Sequence, residues 1–146
     1  MERITALMKT VLVLAIALHA AAIKDPDIWQ ECQIESATLC GAGGCKPVEP
    51  TLKLFLGDYV GESGRRVGYY YRCRRGNLCD IVDDPWIGES GGYRAFIMRD
   101  RGVIARVGTD NNVTDVATIE DIVLISRGRC WKTRRPRVAR VVERAN

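Results

Sequence analysis

Apolar and polar residues alternate in short runs along most of the chain. In Val67–Cys73, Val67, Tyr69 and Tyr71 share one face and Gly68, Tyr70 and Arg72 the other, the two-residue period of a strand. Thr51–Val60 sets Leu52, Leu54 and Leu56 against Lys53, Phe55 and Gly57; Val113–Thr118 sets Val113, Asp115 and Ala117 against Thr114, Val116 and Thr118. The pattern predicts further strands over Ile28–Ile34, Leu78–Val82, Tyr93–Arg99, Val103–Val107 and Ile122–Ser126. The last is a β-branched apolar run that predicts burial on both faces. Gly61–Gly64, Arg74–Asn77, Asp83–Pro85, Asp100–Gly102, Gly108–Asn112 and Glu120-Asp121 punctuate the strands as turns or bends. Ser36–Pro50, rich in Gly and holding Pro47 and Pro50, predicts a loop, as does Trp86–Gly92, and Arg127–Trp131 predicts the end of the fold. About eight short strands with turns between them predict an all-β domain, a small antiparallel barrel or sandwich. A helix over Asp115–Ser126 competes, because Val116, Ile119, Val123 and Leu124 partly fit helical spacing; the β-branched content favours strands.

The two ends break this pattern. Arg3 and Lys9 precede the apolar run Val11–Leu18, and Ala20-Ala21-Ala22 follows. A charged start, a short apolar middle and an Ala-x-Ala end predict a secretory signal helix over residues 1–22. The run is shorter than the roughly 20 residues that cross a bilayer. Lys9 before the apolar run would complete such a signal from Met8 as well. Cleavage is expected after Ala22, or after Ala20; the former leaves a β-domain over residues 23–131 and a tail over 132–146. Pro136 can open a helix. Val138, Val141, Val142 and Ala145 then fall on one side and Arg137, Arg140 and Arg144 on the other. The tail is therefore expected to be disordered, or a short basic amphipathic helix that forms on a partner.

All six cysteines lie after the signal segment, and an even count in a small exported domain reads as three disulfides. If the strands form a closed meander, first and last are neighbours, which suggests Cys32–Cys130. Cys73 and Cys79 flank a hairpin turn, and Cys40–Cys45 remains. Charge divides unevenly. Residues 23–131 carry 14 Lys and Arg against 16 Asp and Glu, whereas 132–146 carry six Lys and Arg against Glu143. A basic nucleic-acid-binding face across the fold is not indicated.

Composition also removes chemistry. The one histidine, His19, lies in the signal segment. A mature chain without histidine excludes Ser-His-Asp and Cys-His catalysis and His-ligated metal. Oxidised cysteines exclude thiolate catalysis and Cys-ligated metal, and no cofactor or metal is expected. Ser90, in Gly88–Gly92, has no histidine to activate it. Asp110, Asn112, Thr114 and Asp115 offer oxygen ligands without an EF-hand spacing. Asn112-Val113-Thr114 is a glycosylation sequon. Asp80, Asp83 and Asp84, set against Glu62 or Glu89, are the carboxylates a hydrolase would need in one cleft. Candidate recognition residues are Tyr70 and Trp86, as exposed aromatics, and Arg134, Arg135, Arg137, Arg140 and Arg144 of the tail. The arginines suggest weak, salt-sensitive attraction to an anionic surface such as a membrane or lipopolysaccharide.

Trp29–Cys32, Gly44–Pro47, Tyr70–Asp80 and Ile125–Cys130 carry sparse motifs: Trp-x-x-Cys, Gly-Cys-x-Pro, Tyr-x-Arg-Cys followed by Leu-Cys-Asp, and Ile-Ser-x-Gly-x-Cys. In these the chain resembles small exported bacterial proteins of unassigned function, which implies a periplasmic β-rich domain and no particular activity. Its expected architecture is also similar to that of the small periplasmic β-barrel inhibitors of lysozyme, although no inhibitor loop matches residue by residue. The expectation is a monomeric, non-enzymatic, periplasmic or extracellular module that binds a protein or an anionic surface ligand. An inhibitor of an extracellular enzyme, presenting a rigid loop such as Pro85–Gly92, and a carboxylate hydrolase are the alternatives.

Overall fold

The computed structural model of the chain describes residues 28–74, 78–137 and 139–140. The expected signal segment, Arg75–Asn77 of the predicted turn, and Arg144 lie outside them. The described residues form β1 (Ile28–Gly41), β2 (Gly44–Val48), β3 (Lys53–Val60), β4 (Arg66–Cys73), β5 (Leu78–Asp83), β6 (Trp86–Ser90), β7 (Tyr93–Met98), β8 (Val103–Gly108), β9 (Asn112–Ile119), β10 (Ile122–Thr133) and β11 (Ala139–Arg140). A single 3-10 turn, Arg99–Arg101, joins β7 to β8. The all-β expectation holds, and Asp115–Ser126 is strand, not helix.

All eleven strands belong to one sheet, in the order β11-β5-β4-β3-β1-β10-β9-β8-β7-β6, with β2 on β1. Every pairing is antiparallel except that of β11 with β5. The sheet curls into a half-barrel. Its open edges are β11 and β6, and β5 and β6 follow each other in the chain but share no ladder. The Asp84 amide prolongs the β4–β5 ladder by donating to the Gly68 carbonyl at 3.0 Å, and Ile87 of β6 lies against Gly68 and packs on the interior.

Two regions predicted as loops are strands. Ser36–Gly41 extends β1, and β2 forms despite Pro47. Only β1 pairs with β2, so it is an edge strand, where a missing N–H costs no ladder bond. Trp86–Ser90 is strand because β7 pairs with all of it. β10 also continues through Arg127–Thr133, where it pairs with β1, so the fold does not end at Trp131. Burial of Ile122–Ser126 on both faces was expected, but Ile122 is exposed and Val123–Ile125 are half-buried. This part of the sheet projects past the packed interior. Between Ile34 and Ser36 β1 carries a bulge against β10. Gly128 lies opposite, where a Cβ would stand 1.9 Å from the Gln33 carbonyl oxygen, so only glycine fits.

The interior is filled. Leu54, Leu56, Tyr70, Phe96 and Val113 are at most 2% exposed and pack with Cys32, Ile34, Met98, Ala105 and Cys130. Outside the barrel wall, Trp29, Phe55, Tyr71 and the Cys73–Cys79 pair form a second buried cluster, joined by Tyr69 and Ile81. Trp29 stacks on Tyr69, ring centroids 5.8 Å apart. The chain leaves β10 beside Trp29 and next pairs with Leu78 and Cys79 on β5. The segment after Thr133 therefore has to pass over β1, β3 and β4. The charge of Arg135 acts on the Tyr69 hydroxyl, which burial raises above its ordinary range. Within the tail, Ala139–Arg140 is extended strand where the helical reading would make a turn. The disulfides are the expected pairs, Cys32–Cys130, Cys40–Cys45 and Cys73–Cys79. Three of them fit an oxidising, non-cytoplasmic compartment. Among the described residues no helix is long and apolar enough to cross a membrane.

Candidate functional site: a cleft at one mouth of the half-barrel

Alternation places every second residue of each strand inside the half-barrel, so the register decides which side chains meet at each end. At one end β1 brings Gln30, β3 Asp58, β4 Arg66, β6 Glu89, β7 Arg94 and β10 Lys132. Asp58, 1% exposed, accepts from Arg66 and, at 2.8 Å, from Arg94 Nη1. Arg94 Nη2 donates to Gln30 Oε1. Arg66 Nη2 also pairs with Glu89 at 2.9 Å. A buried carboxylate needs such partners, because an unpaired charge there would cost several kcal/mol. Burial lowers the Arg94 guanidinium below its ordinary range, and Asp58 opposes that shift.

Above this network lies an open cleft of about 600 Å³. Gln30, Arg94 and Val107 contribute to it from the strands, and Lys132 from the end of β10. Two turns supply the rest: Glu89–Tyr93 between β6 and β7, and Gly108, Thr109 and Asn111 between β8 and β9. Gly91 and Gly92 both have positive φ, 58° and 79°, which makes the β6–β7 connection a two-residue hairpin. Tyr93 stays half-exposed, and the Arg106 guanidinium sits 4.3 Å from its ring centroid. Asp110 accepts from the backbone and side chain of Asn112, which holds its carboxyl below the ordinary range.

The opposite end of the barrel holds a second polar group. Tyr70 donates to Asp115 Oδ1 at 2.7 Å, and Arg72 Nη2 lies 3.2 Å from Asp115 Oδ2. Burial raises Asp115 above the carboxylate range while Arg72 and Tyr70 oppose the shift; burial, then Asp115, raise Tyr70 well above the phenol range. Asp115 and Ser126 face each other in the ladder and are both fully buried.

Several expected residues therefore stand elsewhere. Tyr70 is interior and hydrogen-bonded, because β4 is covered on both faces; it is not an exposed recognition aromatic. Trp86 is half-exposed, on β6. Arg134, Arg135 and Arg137 are exposed on the segment that crosses the outer wall, and Arg140 pairs with Cys79 through its backbone. The carboxylates suggested for hydrolysis are not gathered. Asp80 pairs with Arg101, Asp84 with Arg65 and Glu89 with Arg66. Asp115, a suggested calcium ligand, is committed to Tyr70 and Arg72, and among the described residues no cluster of His, Cys, Asp or Glu could hold a metal. Sequence reasoning missed Gln30, Asp58, Arg66, Arg94 and Lys132. The one available signal was a charged residue at an inward position of an otherwise apolar alternation, as at Asp58 after Leu54 and Leu56.

Comparison with family models, curated proteins and solved structures finds no match for this chain.

Proposed function

We propose that this protein is an exported binding module that takes a small ligand at the mouth cleft. The observation that carries the reading is the filled interior beneath an open cleft of about 600 Å³, within the range of roughly 300–1,000 Å³ usual for small-molecule sites. With Leu54, Leu56, Tyr70 and Phe96 filling the barrel, there is no lumen for a ligand, so recognition belongs to the rim. The scattered, arginine-paired carboxylates weigh against the hydrolase reading.

A screen of acidic, basic and neutral fragments against ¹⁵N-labelled mature protein tests this. Shifted amides should cluster at Ser90–Tyr93 and Thr109–Asn111. Hits confined to another surface, or no hits at all, would overturn it.

Enzyme inhibition is the second reading. Its favouring observation is the β1–β2 hairpin, where Gly41–Pro47 are exposed throughout and Cys40–Cys45 staples the two arms next to the turn. The exposed turn of that hairpin, rather than Pro85–Gly92, is the segment such an inhibitor would use, since β10 supports its β1 arm.

A further inference from the structure

We infer that the ligand of the mouth cleft carries a compact oxyanion, a carboxylate or a phosphate, held by Lys132 beside Gln30 and Arg94; this rests on the cleft being the binding site.

The first argument is the charge left over. Glu89 and Asp58 are both neutralised by arginines, Glu89 by Arg66 and Asp58 by Arg66 and Arg94. Lys132 lines the same cleft, is exposed and has no ion-pair partner among the described residues. Arg106, stacked on the Tyr93 ring, is on the outward-facing, exposed side of β8 and does not line the cleft. Counting the cleft and the network beneath it, Arg66, Arg94 and Lys132 against Asp58 and Glu89 leave one positive charge.

The second argument is hydrogen-bonding capacity. The carboxamide oxygen of Gln30 accepts from Arg94, so what Gln30 has left to offer is its NH₂ donor. Lys132 adds three donors, and Ser90, Thr109 and Asn111 add side chains that can donate. Of the carboxylates there, Asp58 is shared by two arginines and Glu89 pairs with Arg66 through one oxygen. A cleft rich in unused donors and one charge positive matches an oxyanion.

The third argument is rigidity. Gln30 and Lys132 are direct partners in the β1–β10 ladder, and Cys32 and Cys130 are the next pair on the same face, joined by a disulfide. The covalent clamp sits immediately below this pair and fixes the backbone spacing from which both side chains project, which reduces the ordering cost of binding.

The test titrates the mature, oxidised protein with four probes: inorganic phosphate, acetate, glucuronate and glucose. Phosphate, acetate or glucuronate should shift the amides of Ser90–Tyr93, Thr109–Asn111 and Lys132, and glucose should not. Which anions act tells phosphate from carboxylate recognition. Lys132→Gln should weaken binding about tenfold, Lys132→Arg should restore most of it, and Lys46→Gln on the remote hairpin should change nothing. If glucose shifts the same amides as strongly as glucuronate, or Lys132→Gln binds anions as well as wild type, the oxyanion inference fails while the cleft stands. If no probe shifts the cleft amides, and the fragment screen also leaves them unmoved, both fail together.

Discussion

Removing the Cys32–Cys130 bond, as Cys32→Ala with Cys130→Ala, should destabilise the protein more than removing either other disulfide. The three bonds close very different loops. Cys32 and Cys130 are 98 residues apart, whereas Cys40–Cys45 and Cys73–Cys79 span 5 and 6. The chain-entropy relation gives about 4.7 kcal/mol for the long loop and about 2 kcal/mol for each short one. Packing adds to the difference from Cys40–Cys45, since Cys32 and Cys130 are buried in the main core and Cys45 is exposed, whereas Cys73 and Cys79 are fully buried too and differ only in loop length. The assay is urea unfolding of the three double variants, followed by tryptophan fluorescence. With a slope of about 2 kcal/mol per molar urea, the long-loop variant should lose about 2 M in midpoint and each short-loop variant about 1 M. A Cys32→Ala/Cys130→Ala variant no less stable than Cys40→Ala/Cys45→Ala would refute the view that this bond locks the two halves of the meander together.

Three further outcomes follow from the same geometry. The folded state holds Asp115 protonated above its ordinary value of 3.8, so ionising it costs stability as pH rises from about 3.8 to the raised folded value. The stability of wild type minus that of Asp115→Asn should fall with pH across that window, and a flat difference in chemical denaturation would contradict it. Asp58→Asn leaves Arg66 and Arg94 without their shared carboxylate and should cost about 3–5 kcal/mol by the same assay; a loss below 1 kcal/mol would show that the network relaxes freely. Deleting residues from Arg134 onwards should expose the outer aromatic cluster. In a Trp86→Phe/Trp131→Phe background, Trp29 emission should then move to longer wavelength, and an unchanged spectrum would mean that the segment does not cover it.

The strands were legible wherever one face is apolar and the other polar, because alternation alone reports a half-buried strand. It fails at β6 and β2. Trp86–Ser90 has too few apolar residues to declare itself and is strand only because β7 binds its length. Pro47 reads as a breaker, yet costs nothing on an edge. Tyr69–Tyr71 could not be divided into core and surface from sequence, since the outward face of β4 is covered by Trp29 of β1 and Phe55 of β3, which only the strand order brings there. The disulfides were readable because cysteines flanking a turn, or ending strands that must be neighbours, have few alternatives. The cleft was not readable. Gln30, Asp58, Arg66, Glu89, Arg94 and Lys132 come from six strands, and only the register of the sheet brings them to one mouth. Charge counting pointed instead to the C-terminal arginines, whose sequence clustering says nothing about where each one sits.

The most direct measurement is a crystal structure of the mature protein with the tightest-binding fragment from the screen. The account predicts the fragment ordered in the cleft between Tyr93, Asn111 and Lys132, with the barrel below still filled by Leu54, Leu56 and Phe96. A fragment seated among those core side chains, or on the β1–β2 hairpin, would contradict it.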